Sequence, residues 1–243
     1  MTGNCQVRFL EDGVGSNPTL LFDVSPLLAN LFLHYVFDQW MDSRHRYNPF
    51  ARYADDSVIH CRSKKDADQL RIKLEKRLSE FGLELHPTKT RIVYCKDDDR
   101  QEDYPETKFD FLGYAFRPRR SKNKYGKHFI NFTPAVSNTA KKSMQHEIHN
   151  WRIHLKPDKT LEDLSHMFNA ILRGWVNYYG LFYKSELYCV LKHMNRALVR
   201  WVQRKYKKFA RHKRRAKDWL GKIARRDSKL FVHWQMGIFP GAG

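Results

Sequence analysis

Leu187, Val190, Leu191, Met194, Ala197, Leu198 and Trp201 recur at near-heptad spacing. No other feature constrains the fold of this chain as tightly. The spacing puts these apolar side chains on one stripe of an α-helix, and such a stripe needs other elements to cover it. Leu161, Leu164, Phe168, Ile171 and Leu172 repeat the pattern just upstream. From Ser137 onward the period is helical. Before Pro134, short apolar runs alternate with turn signals and two helical stretches. The expected fold class is therefore α+β: an antiparallel sheet with helices up to a boundary near residue 135, then an all-helical part. A chain of 243 residues can bury real cores in one or two domains.

Ser25-Pro26 opens the first helical stretch, with Ser25 as N-cap and Pro26 at the first helical position. Leu28, Leu31, Phe32, Tyr35 and Phe37 to Trp40 supply its apolar face through about Met41. A second helix is expected from Lys65 to Phe81, with Ala67, Leu70, Leu74, Leu78 and Phe81 on one face and Gly82 closing it. Leu83 to Tyr94 reads as turn and strand, and Lys96 to Glu106 as a polar surface loop. Phe109 to Phe116 and Lys127 to Phe132 read as a hairpin with a basic tip, Arg117 to Lys124. Residues 1–20 show no clear period and read as an irregular lead-in.

Between the first two helices stands Tyr53-Ala54-Asp55-Asp56, flanked by Asn48 to Arg52 and Ser57 to Cys61. This reads as a tight β-hairpin with two acids at its bend. Asp is a common turn residue, so a solvated turn is one reading. Adjacent carboxylates at a fixed bend also repel each other unless a cation sits there. Divalent ions held in this way serve phosphoryl transfer.

Forty-five Lys and Arg against 26 Asp and Glu leave a charge of +19. That excess points to a polyanion. No apolar run reaches the ~18 residues of a membrane span and no signal peptide is visible, so the expected polyanion is nucleic acid and no membrane partner is expected. Residues 184–229 hold seventeen of the cations against three acids, interleaved with Trp201, Tyr206, Phe209 and Trp219. Cations neutralise phosphates and rings stack on unpaired bases, so this segment is expected to bind nucleic acid. The four cysteines form no CxxC pair and no zinc spacing. Scattered thiols fit a reducing compartment, and the expected location is cytoplasmic.

Five blocks in order resemble the reverse transcriptase/maturase proteins encoded by group II introns. Ser25-Pro26-Leu27-Leu28-Ala29-Asn30-Leu31-Phe32-Leu33 is similar to the helix that follows the template contact, and Arg52-Tyr53-Ala54-Asp55-Asp56 to the catalytic hairpin. Leu85-His86-Pro87-Thr88-Lys89-Thr90 resembles the next palm block, and Phe109-Asp110-Phe111-Leu112-Gly113-Tyr114 the primer-grip hairpin. Gly174-Trp175-Val176-Asn177-Tyr178-Tyr179-Gly180 is similar to the maturase segment, with Arg200-Trp201 to Lys205 as its basic continuation. The resemblance covers roughly residues 24–240.

The resemblance implies RNA-directed DNA polymerase activity, intron RNA binding and splicing assistance. Asp55 and Asp56 would be catalytic and hold Mg²⁺. Tyr53, Ala54, Lys89, Phe111, Leu112, Gly113 and Tyr114 would meet the nucleotide or primer, with Gly113 permitting close backbone approach or a bulge. Trp175, Tyr178, Tyr179, Arg200, Arg204, Lys205, Lys207, Lys208 and Arg211 would contact RNA; the three aromatics fit a packed core equally well. The implied partners are intron RNA, a DNA target and an RNA/DNA hybrid.

The chain departs from the family at its start. The family's third Asp comes from an earlier strand, and Glu11, Asp12 and Asp23 are left unassigned. Fingers and first palm strands are expected to be missing. The implied division is a degenerate, irregular lead-in over 1–23, a partial palm over 24–135 and a helical thumb/maturase domain over 136–240. Such a truncated member would be weakly active or inactive alone, with a separate N-terminal polymerase fragment as a candidate partner. The alternative is a non-catalytic RNA-binding maturase remnant.

Overall fold

The computed structural model describes residues 5–9, 26–100 and 102–241, and of residues 5–9 the backbone alone. The chain forms two compact units, residues 1–111 with 116–132 and residues 112–115 with 133–243.

The first unit is built on a four-stranded antiparallel sheet. Its strands are β1 (Cys5–Phe9), β2 (Phe50–Tyr53), β3 (Asp56–Cys61) and β4 (Arg91–Tyr94), in the spatial order β2-β3-β1-β4. Helix α1 (Pro26–Leu33) runs through a π-helical turn (His34–Asp38) into α2 (Gln39–Arg44), and α3 (Lys64–Ser79) joins β3 to β4. The β-α-β-β-α-β chain order and this strand order are those of a ferredoxin-like sheet. Ile59, Cys61, Ala67, Leu70, Leu74 and Tyr94 form its core with Val36, Phe37 and Met41. Ser63 caps α3, accepting from the Asp66 amide at 3.1 Å.

The expectation of an irregular lead-in is corrected here: Cys5–Phe9 is a strand in the middle of the sheet, pairing with β3 and with β4. Cys-Gln-Val-Arg-Phe alternates apolar and polar, which suits a strand, but five residues among glycines are too few to show a period. Ser25 and the acids Glu11, Asp12 and Asp23 lie outside the described residues. The apolar face expected from Leu28 to Met41 is core only in its second half: Phe37 and Met41 are buried, while Leu28, Leu31, Phe32 and Tyr35 are exposed.

Strands β5 (Phe109–Phe111), β6 (Tyr114–Lys122) and β7 (His128–Val136) form a second sheet in that order. The sequence reads Phe109 to Phe116 as one arm of a hairpin, with Gly113 permitting close backbone approach or a bulge. Instead the chain turns at Leu112 and Gly113, both left-handed with φ of 49° and 77°. That is the sign pattern of a type I′ hairpin turn, where only glycine is at ease.

The second unit is helical: α4 (Asn138–Asn150), α5 (Leu161–Tyr179), α6 (Tyr188–Lys205), α7 (Lys213–Arg226) and a short α8 (Val232–Gln235). Thr160 and Asp163 cap α5 reciprocally, each side chain accepting from the other's amide at 3.1 and 2.9 Å. The seam of α6 is buried as its spacing predicts: Val190, Leu191, Met194, Leu198 and Trp201, with Leu187 just ahead of it. On α5, Leu161, Leu164, Phe168 and Leu172 are buried, while Ile171 faces outward. Two asparagines fasten the last residues to this core. Asn169 donates to the Leu230 carbonyl (2.8 Å) and accepts from the Val232 amide (3.2 Å). Asn195 donates to the Ile238 carbonyl (2.9 Å) and accepts from His233 Nε2 (2.8 Å) and Trp234 Nε1 (2.9 Å).

Candidate functional site

The acids sit where the hairpin reading places them. Tyr53 pairs with Asp56 across a two-residue turn of Ala54 and Asp55. Ala54 has φ of 54° and Asp55 does not share the positive sign, the φ pattern of a type II′ turn. Asp55 is exposed and Asp56 half-buried. Strand β1 ends level with this turn: Phe9 lies opposite Ser57, the neighbour of Asp56.

Arg52 fixes the turn from within. Its Nε and Nη2 donate to the two oxygens of Asp38, each at 2.7 Å. Its Nη1 donates to the Ala54 carbonyl at 2.6 Å and to Asn30 Oδ1 at 3.1 Å. Asp38 ends the π-helical turn, in which the Gln39 amide reaches back to the His34 carbonyl, and His34 Nδ1 lies 3.2 Å from Asp38. Burial opposes ionisation of Asp38, but the hydrogen bonds and charge of Arg52, with His34 adding to them, hold its carboxyl below the usual value. At the other end of the hairpin, Asn48 donates to the His60 carbonyl and to Asp66, both at 3.1 Å. Both ends of the ribbon are tied to helices, so the bend carrying the acids is held in place. Lys89 lies in the turn leading into β4, where its amide and those of Thr88 and Thr90 point back at His86.

In the second unit the Leu112-Gly113 turn is clamped by the end of α5. Tyr178 Oη donates to the Leu112 carbonyl at 2.9 Å, Tyr114 Oη donates to the Tyr178 carbonyl, and the Ser137 amide donates to the Gly113 carbonyl at 2.8 Å. A Cβ on Gly113 would lie 2.6 Å from Tyr179 Oη, closer than packed atoms come. Burial, then the neighbouring Tyr178 and Tyr179, push the Tyr114 hydroxyl upward in pKa.

The basic helices present their cations outward. Lys192, Arg196, Arg200 and Arg204 are all exposed on α6, in one row at four-residue steps of about 6 Å. His193 reports the field of this row. Burial first, then the charges of Arg196 and Arg200, hold its pKa below the ordinary value. Lys207, Lys208, Arg211 and the outer face of α7 continue the exposed basic surface.

Two family models match the chain: reverse transcriptase (RNA-dependent DNA polymerase) over residues 22–116, and group II intron, maturase-specific domain over residues 141–219. The chain belongs to the group II intron reverse transcriptases/maturases. No curated protein matches it as a relative.

In this reverse transcriptase/maturase, several residues expected to meet RNA are packed against protein. Trp201 and Phe209 are buried. Trp219 packs on Tyr206 and Phe209 with ring centres 5.2 and 5.5 Å apart. Trp201 and Phe209 are therefore core, and the expectation that they stack on bases is corrected, while Tyr206 and Trp219 lie partly buried against that core. They alternate with cations because an amphipathic helix alternates core and solvent faces. Trp175 joins a stack with Trp151 and Phe168, Trp151 lying 5.6 and 4.4 Å from them. Lys205 donates to the carbonyls of Pro157 (2.9 Å) and Lys159 (2.5 Å). Sequence reasoning missed Arg52 and Asp38 as partners. Fourteen residues separate them, and the π-helical turn that ends at Asp38 has no sequence signature.

Among the described residues, no three His, Cys, Asp or Glu converge as a metal site. None of the described helices is long and apolar enough to cross a membrane.

Proposed function

We propose that this chain grips intron RNA along the outer row of α6 and contributes the Asp55-Asp56 turn to RNA-directed DNA synthesis. The observation that carries the first half is the row itself: Lys192, Arg196, Arg200 and Arg204 exposed in register on a helix whose opposite face is core. Four cations fixed on one rigid element are ready to neutralise phosphates without ordering any backbone. Arg211, Lys207 and Lys208 extend that surface, and Tyr178 is an exposed ring near the end of α5. RNA/DNA hybrid and DNA target binding, and assistance to splicing, belong to the same reading.

The second half rests on the turn. Mg²⁺ takes oxygen ligands and is commonly held by one or two carboxylates with substrate phosphates, so Asp55 and Asp56 fit it in kind. Bound there, the ion would stabilise charge on the transferring phosphoryl group. The chain's own residues hold and orient. Arg52 pins the Ala54 carbonyl, Tyr53 stands 66% exposed beside the turn, Lys89 is a cation to offset triphosphate charge, and the Phe111-Leu112-Gly113-Tyr114 turn supports a primer.

The lack of a third convergent acid among the described residues favours a second reading, an RNA binder without chemistry. Asp55→Ala separates the two. Primer extension on an RNA template with Mg²⁺, run beside filter binding to intron RNA, is expected to show loss of synthesis with RNA affinity kept. If the unaltered chain binds RNA and synthesises no DNA, the binder reading stands instead. If it binds no RNA, both readings fail.

A further inference from the structure

Of the aromatics in the basic segment, Trp201 and Phe209 are buried and Tyr206 and Trp219 partly so, yet an exposed ring elsewhere stands among cations. Strands β6 and β7 extend to a three-residue loop, Lys124-Tyr125-Gly126. It is closed by the Asn123 amide donating to the Lys127 carbonyl (2.9 Å) and by Gly126 at φ of 86°, the left-handed position that such loops reserve for glycine. Asn123 Oδ1 accepts from the amides of Tyr125 and Lys127, both at 2.9 Å. The loop is thus pinned by four hydrogen bonds, counting Gly126 to the Asn123 carbonyl at 3.0 Å.

What this built tip displays is Tyr125, 81% exposed, with the Lys124 ammonium 4.9 Å over its ring centre. From Phe111 to His146 the chain has no acidic residue, and Lys122, Lys124, Lys127 and His128 are all exposed on the arm. Just below the tip a hollow of about 340 Å³ is lined by Arg120, His128, Phe129 and Ile130. Asp98 also lines it, with its Oδ1 accepting from the Ile130 amide at 2.9 Å.

We infer that the β6–β7 arm is a separate RNA-contacting element, and that Tyr125 stacks on an unpaired base. The chemistry selects this ligand. Cations on both sides of the tip meet phosphates, and an exposed ring meets a base face, which only unpaired nucleotides offer. A-form duplex RNA has a deep, narrow major groove that side chains do not read and a shallow minor groove that shows base edges and 2′-hydroxyls, so a paired stem offers no base face for the ring at the tip. The inference rests on the reading that the chain binds intron RNA, and it adds a contact outside the α6 row.

The test uses the full chain and two labelled RNAs, a blunt-ended duplex and the same duplex with a single-stranded uridine tail. Tyr125→Ala is expected to weaken binding of the tailed RNA on the order of ten-fold and to leave the untailed affinity unchanged. Tyr125→Trp is expected to restore it. Lys124→Gln with Lys127→Gln is expected to flatten the salt dependence for the tailed RNA by about one unit or more of slope. Equal affinity of Tyr125→Ala and the unaltered chain for the tailed RNA overturns the inference while leaving the RNA-binding reading intact. So does an equal loss on both RNAs, or a Tyr125 dependence that appears only when the tail is DNA. Failure of the unaltered chain to bind either RNA overturns both.

Discussion

Ala54 holds a left-handed φ at the turn that carries the acids, and an L-residue there costs about 1 kcal/mol. Arg52 explains how that conformation persists, since its guanidinium holds the Ala54 carbonyl while Asp38 holds the guanidinium. Ala54→Gly is therefore expected to be neutral or to stabilise by up to about 1 kcal/mol in urea unfolding, since glycine adopts this φ without strain. Arg52→Lys is expected to destabilise by about 1–3 kcal/mol, because a lysine cannot replace a two-pronged contact and leaves Asp38 half satisfied. A second residue-scale prediction concerns His233, fully buried with its pKa lowered by burial to about 3. The unfolded chain binds this proton near pH 6.5, so between about pH 6.5 and 3 the unfolded state holds more protons than the folded one. Stability is full above pH 6.5 and falls on acidification by ~1.4 kcal/mol per pH unit, or about 2 kcal/mol by pH 5. Unfolding midpoints against pH should show that slope, and His233→Gln should remove it.

At the scale of elements, α6 shows one helix serving two solvents. Its inner seam is core and its outer row is charge. Replacing Lys192, Arg196, Arg200 and Arg204 together by Gln is expected to flatten the salt dependence of RNA binding by about three units of slope for a single strand, with little change in helix content by circular dichroism. RNA bound on this row should also relieve His193 of the repulsion from Arg196 and Arg200. Its pKa, followed by NMR, is expected to rise on binding, and affinity to strengthen as pH falls through it. The seams of α5 and α6 and the hairpin with its acids were readable because each repeats a period over many residues or carries a dense turn signal. Three features were not. Strand β1 has too few residues for its alternation to register. The turn at Leu112 puts a branched side chain at positive φ, against local preference, and is held by Tyr114, Tyr178 and Ser137 from the same unit. The aromatics among the cations could not be told apart as ligand or core, because a core-facing stripe and a stacking ladder share one spacing.

Over the whole molecule, residues 184–229 contribute +14 of the +19 net charge. Such crowding raises the energy of the folded state through self-repulsion, and salt screens it over about 10 Å at 0.1 M. The melting temperature is therefore expected to rise from low salt to moderate salt, by differential scanning fluorimetry. A short RNA at about a hundred times its Kd should add roughly 2.7 kcal/mol of stability at low salt. A melting temperature insensitive to both would mean that the cations are spaced too widely to repel or to share a ligand.

The two asparagine clasps have a consequence in time. Val190, Met194 and Leu198 of α6 belong to the same core as Phe231, Trp234 and Ile238, and Asn195 is satisfied by groups at 233, 234 and 238. During synthesis α6 is complete tens of residues before those partners leave the ribosome. At about 5–20 residues per second, it waits for seconds with an open seam and Asn195 unsatisfied, as is Asn169 on α5. The basic row on its outer face is displayed throughout that interval. A polyanion met early would find the charges before it found the fold, so an encounter with RNA and the closing of this core become competing events on the nascent chain.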